Sequence, residues 1–126
     1  MPTKHVSTSE APAPIGPYSQ GVISGGLLFC SGQIGLDPGT GEMVEGGVEA
    51  EAERVFENLV AVLSEAKMGL GNVVKTTVYL ADMADFAAMN DVYARYLGQR
   101  APARTTIQAG ALPKGARVEI DVVAAF

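Results

Sequence analysis

The sequence contains few of the residue types that most often carry out chemistry in proteins. Among its 126 residues there is one cysteine, Cys30, one histidine, His5, and no tryptophan. A single cysteine excludes an internal disulfide, and one cysteine with one histidine is too small a set for a zinc site of the usual kind. We therefore expect no metal site, and a general acid or base has to come from a carboxylate, a tyrosine, a lysine or the cysteine.

Positive charge and long apolar segments are also scarce. Nine Lys and Arg against 14 Asp and Glu give a net charge of −5, and the basic residues form no cluster, so no nucleic-acid partner is expected. No apolar segment reaches the roughly 18 to 20 residues that a membrane span needs, and the amino terminus lacks the hydrophobic segment of a signal peptide. We therefore predict a cytoplasmic protein with no membrane partner.

Apolar residues are abundant enough to form a buried core. They make up 48% of the chain, and the mean hydropathy is +0.19. A length of 126 residues is ordinary for one folded unit. We therefore predict a single domain spanning residues 1–126.

Periodicity and turn residues predict the secondary structure. Apolar residues at three- and four-residue spacing indicate helices, and alternating or continuous apolar segments bounded by glycine indicate strands. In chain order we expect a hairpin over 22–36, a short strand near 43–48, a helix over 48–67 that ends at Gly69 or Gly71, a strand over 72–80, a helix from Asp82 to Gly98, and two strands within 102–126. Two helices against one mixed sheet make a two-layer α+β domain.

Three features are expected to be structural rather than functional. The acidic residues at the start of the first helix, Glu49, Glu51 and Glu53, complement the helix dipole and are expected to be solvated. Cys30 has no histidine, lysine or arginine in the flanking ten residues and is expected to be a small buried hydrophobe. His5 is expected to be a solvated residue of an extended amino-terminal segment.

Residues 102–123 are predicted to form a hairpin that carries opposite charges on its two strands. The turn centres near Pro113, with Arg104 on one strand and Glu119 on the other. Glu119 would then lie opposite Ile107, on the order of 10 Å along the ladder from Arg104. A small anionic ligand would fit between the two side chains.

Both faces of the predicted central strands are apolar, although two helices cover only one face. This pattern extends over residues 73–80 and 118–126. A second buried face needs a partner, and another copy of the chain is the simplest one. We therefore expect a homo-oligomer with its sheets facing inward.

Three further positions each have two interpretations. Tyr18, held between Pro17 and Gly21, either points into a cleft or covers the edge of the core. The Ser31-Gly32 pair either marks a bulge or close approach to a ligand, or simply ends a strand. Asn90 lies within the apolar stripe of the second helix, where it either ties down a loop or borders a cleft.

Several short motifs, taken together, identify a family resemblance that runs almost from end to end. They are Gly16-Pro17-Tyr18, Ser31-Gly32-Gln33, Val74-Lys75-Thr76-Thr77-Val78, Asp85-Phe86 with Asn90, Pro102-Ala103-Arg104, Leu112-Pro113-Lys114 and Val118-Glu119-Ile120. In this order and spacing they closely resemble the RidA/YjgF family of reactive intermediate deaminases.

The resemblance implies a fold, an assembly and a reaction. The fold is chorismate-mutase-like α+β, with a mixed six-stranded sheet and two long helices on one face. The assembly is a barrel-like homotrimer with active sites in the clefts between subunits. The reaction is the hydrolysis of 2-imino acids, formed from 2-aminoacrylate or 2-aminocrotonate, to 2-keto acids and ammonia without a cofactor.

The resemblance also implies roles for individual residues. Arg104 matches the arginine that binds the substrate carboxylate, and Glu119 matches the acid that positions or activates water. The remaining matched positions line the pocket or, in the case of one backbone N–H, assist Arg104: Tyr18, Ser31, Gly32, Asn90 and the N–H of Thr106. Asp121 is a competing carboxylate two residues beyond Glu119 on the same strand face; otherwise it is a surface or interface charge.

Two residues depart from the family pattern, and other functions stay open. Thr106 stands where many relatives carry cysteine, and Thr105 is bulkier than expected beside Arg104, which affects the shape of the pocket and the substrate preference. The alternatives are a non-catalytic sensor of 2-keto acids, a 2-aminomuconate-type deaminase, an endoribonuclease, which the charge of −5 disfavours, and a holdase chaperone.

Overall fold

The computed structural model describes residues 3–126. Within them the chain forms two α-helices and six strands: β1 (Lys4–Val6), β2 (Gly21–Ser24), β3 (Leu27–Gln33), α1 (Gly47–Glu65), β4 (Val73–Leu80), α2 (Phe86–Leu97), β5 (Ala103–Gln108) and β6 (Val118–Ala125). The strands form one sheet in the order β1-β2-β3-β6-β4-β5. The β4–β5 pair is parallel, whereas the other neighbouring strands are antiparallel. The predicted α+β class with a mixed sheet is confirmed.

The β2–β3 hairpin forms where the turn residues predict it. Gly25 and Gly26 have φ angles of 60° and 78°, and both positions of a two-residue type I′ turn need positive φ. Glycine reaches that conformation without steric cost. The predicted hairpin is therefore confirmed, and it starts at Gly21.

Helix α1 matches its predicted span, but the residue that terminates it is not the predicted glycine. Lys67, not a glycine, adopts the left-handed conformation, with φ of 61°. The N–H of Met68 donates to the carbonyl of Leu63 and that of Lys67 to the carbonyl of Ser64, both at 2.9 Å. These two bonds form a Schellman motif, so the prediction that Gly69 or Gly71 ends the helix is wrong.

Both helices pack on the same face of the sheet. Along β6, the buried residues Val118, Ile120 and Val122 alternate with partly exposed ones, and they join the same core cluster as Phe56 of α1 and Met89 of α2. The other face carries the intervening side chains. No helix within residues 3–126 is long and apolar enough to cross a membrane.

The predicted hairpin over residues 102–123 is wrong. Strand β5 pairs with β4 in parallel, and β6 lies on the opposite side of β4, where it also pairs with β3. Helix α2 carries the chain across the sheet between β4 and β5, as parallel strands require. Glu119 is level with Tyr79, and Tyr79 with Ile107, so one strand separates the two residues that were expected to be neighbours.

One predicted strand is absent from the described residues, and one strand was not predicted. Residues 43–48 contain only an isolated bridge between Leu36 and Met43. Instead, β1 completes the sheet by pairing with β2, and it contains His5 opposite Val22. The predicted number of strands is therefore right, but the solvated arm assigned to His5 is an edge strand.

Candidate active site

The predicted site residues fall into two groups on different sides of the sheet. Arg104 contacts residues of α2, so it lies on the helix face. Glu119 alternates with Val118 and Ile120, which are buried under the helices, so its side chain projects from the opposite face. Within one chain, Arg104 and Glu119 therefore do not face each other. The prediction of a ligand held between them on one hairpin is wrong, because β4 separates their strands and the two residues point to opposite faces.

The first group fixes the guanidinium of Arg104, which has two aromatic rings and one amide around it. Its Nη1 donates to Asn90 Oδ1 at 2.8 Å. Its Cζ lies 4.6 Å from the centre of the Tyr93 ring and 5.6 Å from that of Phe86. Contacts of this kind are attractive and hold the planar fork in one orientation. The Tyr93 hydroxyl in turn bonds the Thr76 hydroxyl at 2.8 Å.

Asn90 is thus a partner of the arginine and not a tie for a loop. Its amide oxygen is used by Arg104, and it lies on α2 between Phe86 and Tyr93, one turn from each. This contact does not tie down a loop, and the interpretation that Asn90 borders a cleft stays a prediction. Sequence reasoning counted Phe86 and Tyr93 only as core residues of the helix, since periodicity does not distinguish a ring that packs in the core from one that also stacks on a cation.

Thr106 lies two residues beyond Arg104 on the edge strand β5. Its side-chain oxygen is buried and has no hydrogen-bond partner within residues 3–126. The N–H of Ala109 donates to the carbonyl of Leu80 at 2.8 Å. Because backbone groups alternate along a strand, the N–H of Thr106 points away from β4, toward the free edge of the sheet. This donor is available beside the Arg104 group.

The second group lines a pocket of about 420 Å³. Four predicted site residues border it, namely Tyr18, Ser31, Gly32 and Glu119, together with the apolar residues Pro12, Ala13, Ile15, Ile34, Leu36 and Pro113, and with Gln33. The apolar residues were not predicted as part of a site. Their positions in loops give no periodic pattern from which sequence reasoning could have found them.

Gly32 and Glu119 are in close contact across the β3–β6 pair. A Cβ atom built on Gly32 would overlap Oε2 of Glu119. The register of the two strands shifts between Cys30 and Gln33, which is the mark of a bulge. The bulge interpretation of Ser31-Gly32 is therefore correct, and a side chain at position 32 would force the Glu119 carboxylate, the end of a flexible side chain, to shift.

Ser31 and Tyr18 are held by the segment that crosses in front of the bulge. The hydroxyl of Ser31 donates to the carbonyl of Ser19 at 2.5 Å, and its N–H donates to the carbonyl of Gln20 at 3.0 Å. The N–H of Ile15 donates to the hydroxyl of Tyr18 at 3.3 Å. Tyr18 is 46% exposed, so it forms the outer wall of the pocket and does not cover the core edge.

The carboxylate of Glu119 sits in an environment that disfavours its charge. Burial, and secondarily the negative charge of Asp121, raise the pKa of Glu119 above its ordinary value. Asp121 accepts a hydrogen bond from the Tyr79 hydroxyl at 3.2 Å. Burial also raises the pKa of the Cys30 thiol to about 12, so the thiol stays protonated at neutral pH and unreactive.

Comparisons with known proteins decide the family. The family described as Endoribonuclease L-PSP matches residues 8–126. A 2-iminobutanoate/2-iminopropanoate deaminase from Mus musculus is 50% identical over 121 residues, which cover 96% of this chain and 90% of the mouse protein. The chain belongs to the RidA/YjgF family. Protein DfrA of Myxococcus xanthus, at 51% identity over 98% of this chain and 96% of its own, is another similar protein.

Solved structures of RidA/YjgF relatives match the fold described above. RidA from an Antarctic Psychrobacter species superposes with a TM-score of 0.94 at 44% identity, covering 98% of this chain and 99% of that one. The Escherichia coli TdcF structure with bound serine gives a TM-score of 0.92 at 38% identity, with 98% of each chain covered. The predicted family membership is thus confirmed. No group of three or more His, Cys, Asp or Glu residues placed to hold a metal ion occurs within residues 3–126.

Proposed function

We propose that this chain hydrolyses reactive 2-imino acids to 2-keto acids and ammonia without a cofactor. The observation that carries the proposal is the Arg104 group. Its guanidinium lies over the rings of Tyr93 and Phe86 and is oriented by Asn90, which suits bidentate binding of a carboxylate. The mouse relative of 50% identity bears the name of this activity, with 2-iminobutanoate and 2-iminopropanoate as its substrates.

We further propose a homotrimer whose sheets face inward and whose active sites lie between subunits. Two observations support it. The open face of the sheet exposes large apolar side chains, with Phe29 46% and Ile107 45% accessible. The Arg104 group and the Glu119 pocket lie on different sides of one chain, so a neighbouring copy is needed to bring a pocket to each arginine. We also propose that each subunit is a single domain spanning residues 1–126.

In the chemistry that we propose, each group has a separate role. Arg104 holds the substrate carboxylate, with the outward N–H of Thr106 as an additional donor. Glu119 of the neighbouring copy accepts a proton from water as the water oxygen bonds to the imine carbon and the C=N electron pair moves to nitrogen. Glu119 then gives this proton to that nitrogen, which becomes an amine. The proton of the newly formed hydroxyl also passes by way of Glu119 to the nitrogen, the C–N bond breaks, ammonia leaves, and the oxygen becomes the keto oxygen.

The raised pKa of Glu119 fits this role. A carboxylate with a higher pKa is a stronger base once ionised, and general acid–base catalysis of this kind contributes about 10²–10⁴-fold. Tyr18, Ser31 and Gly32 form the wall behind the water and the substrate. Asp121 is engaged by Tyr79, and we assign it no direct step.

RNA cleavage is not proposed, although the matching family carries the word endoribonuclease in its description. The chain has a net charge of −5, whereas RNA binding depends on neutralised phosphates. His5 is the sole histidine and lies on β1. Its Nδ1 forms a hydrogen bond with the Ser19 hydroxyl at 2.7 Å, and it does not line the pocket. Filter binding with labelled single-stranded RNA is expected to detect no complex at low salt.

Imine hydrolysis itself is tested with a 2-imino acid that is generated in situ. An amino-acid oxidase generates the 2-imino acid, and semicarbazide traps whatever imine remains. The purified protein is expected to reduce the trapped fraction well below that of the buffer control. A trapped fraction equal to the control across protein concentrations would overturn the proposed function.

A further inference from the structure

Helix α1 buries two polar side chains on its packing face. Glu51 is 5% exposed and Asn58 is fully buried, and seven residues, close to two helical turns, separate them. Buried polar groups are costly unless they are hydrogen-bonded. Glu51 was expected to be solvated with the other acidic residues at the helix start, and that prediction is wrong for this residue.

Asn58 holds the segment that follows the β3 bulge. Its Nδ2 donates to the carbonyl of Ile34 at 3.2 Å and to that of Leu36 at 3.0 Å. Its Oδ1 accepts from Nε of Arg54 at 3.0 Å, so both amide hydrogens and the oxygen are used. Ile34 and Leu36 line the pocket, whereas Asn58 stands behind it.

Glu51 holds the chain just before β6 and packs on the same segment. The N–H of Arg117 donates to its Oε1 at 2.8 Å, and the Arg117 side chain lies 3.7 Å from Oε2. A Cβ atom on Gly35 would come within 2.9 Å of the Glu51 Cα, so the segment lies directly against α1. Arg117 is two residues before Glu119.

These contacts act where the sheet itself does not fix the geometry. The β3–β6 ladder is interrupted between Cys30 and Gln33, beside the point where Gly32 meets Glu119. Hydrogen bonds of the ladder therefore do not set the distance between the bulge and the carboxylate. The side chains of α1 bind the strand segments on both sides of that contact.

We propose that Asn58 and Glu51 are positioning residues, which hold the Gly32 bulge and the Glu119 carboxylate at their working separation without touching the substrate. The inference rests on the proposed function for its kinetic readout. Gly32 and Glu119 are packed so closely that a Cβ at position 32 would displace the Glu119 carboxylate. A displacement of about 1 Å in a catalytic group costs on the order of 10²-fold in rate.

The first test separates turnover from substrate affinity. In Asn58→Ala and Glu51→Ala, kcat for imine hydrolysis is expected to fall about 10- to 100-fold, whereas KM changes by less than about 3-fold because the Arg104 group is untouched. Glu51→Gln retains an oxygen for the N–H of Arg117 and is expected to keep kcat within about 3-fold.

The matched control is Val62→Ala. Val62 is fully buried on the same helix one turn beyond Asn58, but it packs toward Gly21 of β2. It is expected to lower Tm as Asn58→Ala does and to leave kcat unchanged. A kcat loss in Asn58→Ala no greater than in Val62→Ala, or a rise in KM with kcat retained, would overturn the inference.

A second readout needs no turnover. Carboxyl ¹³C NMR follows the titration of Glu119, which interacts electrostatically with Asp121 and Tyr79. In Asn58→Ala the pKa of Glu119 is expected to move toward its ordinary value as water enters the loosened contact, whereas in Val62→Ala it stays. An unchanged titration in Asn58→Ala overturns the inference even if the wild type proves inactive, an outcome that would separately overturn the proposed function.

Arg54→Met tests the same contact with a variant that is expected to fold. Arg54 is 20% exposed at its side chain, where it pairs with Glu57 at 3.3 Å and orients the Asn58 amide, so its replacement leaves the core intact. A smaller loss of kcat, about 3-fold, with KM unchanged is expected. If Asn58→Ala does not fold, full kcat in Arg54→Met together with an unshifted Glu119 titration counts against the inference.

Discussion

At the scale of single residues, Arg104 depends on its planar shape as much as on its charge. Its guanidinium lies over Tyr93 and donates to Asn90, and we propose that its remaining N–H groups bind the substrate carboxylate. A lysine at this position would supply a point charge with neither the fork nor the stacking.

We expect Arg104→Lys to lose about 10- to 100-fold in kcat/KM and Arg104→Ala about 10²- to 10³-fold, because a bidentate charged contact is weakened or removed. Steady-state kinetics with a 2-imino acid measures both. Arg95→Lys, at an exposed salt bridge with Glu53, is the control and should leave the kinetics unchanged. Equal activity of Arg104→Lys and wild type would contradict the role of the fork.

The pH dependence also belongs to this scale. Burial and Asp121 raise the pKa of Glu119, and a base must be ionised to act. As pH falls, kcat/KM should therefore decline with a midpoint above the ordinary pKa of glutamate.

In Asp121→Asn the second cause is removed, so the acid-side midpoint should move to lower pH while staying above the ordinary value. The pH profile of kcat/KM for both proteins checks this. A midpoint that does not move, or activity that rises as pH falls, would show that ionised Glu119 is not the base.

At the scale of elements, the bulge in β3 is what makes room for the carboxylate. Gly32→Ala places a methyl group on Oε2 of Glu119 and is expected to lower kcat by on the order of 10²-fold. Gly71→Ala meets no atom within 4 Å and is expected to retain full activity. The measurement compares kcat of the two variants at equal concentrations of folded protein. An active Gly32→Ala would contradict the proposed contact.

The same scale explains what could be predicted from the sequence. The period of Val55, Phe56 and Leu59 defined α1, and Gly25-Gly26 defined the β2–β3 turn, because these signals are local. Which strand pairs with which is not local: the residues of β5 and β6 are consistent with a hairpin, and only the packing of α2 across the sheet separates them.

The candidate site shows the same division. Arg104 and Glu119 were singled out as opposite charges on two strands, and the resemblance implied their roles. The bulge at Gly32 was one of two interpretations of a glycine in a strand. The buried hydrogen bonds of Asn58 and Glu51 were missed, since the sequence pattern did not distinguish these buried polar residues from solvated ones. The stacking of Phe86 on Arg104 was missed because helical periodicity does not distinguish a ring that packs only in the core from one that also contacts a cation.

At the scale of the whole molecule, the open face of the sheet exposes large apolar side chains such as Phe29 and Ile107, which the proposed trimer would cover. Phe29→Asp places a charge on that face and is expected to convert the proposed trimer to monomers with loss of activity. Val60→Asp, on the outer side of α1 and 37% exposed in the wild type, should keep both trimer and activity. Sedimentation velocity distinguishes the outcomes, and a trimeric, active Phe29→Asp would contradict an inward-facing sheet.

Complementation between two inactive variants tests most directly that the active site is shared between copies. Arg104→Ala and Glu119→Gln are unfolded together in equal amounts and refolded. In a randomly mixed trimer with inter-subunit sites, about a quarter of all clefts pair an intact arginine with an intact glutamate from the neighbour. Activity should therefore return to about a quarter of that of refolded wild type, and a mixture as inactive as either variant alone would contradict the account.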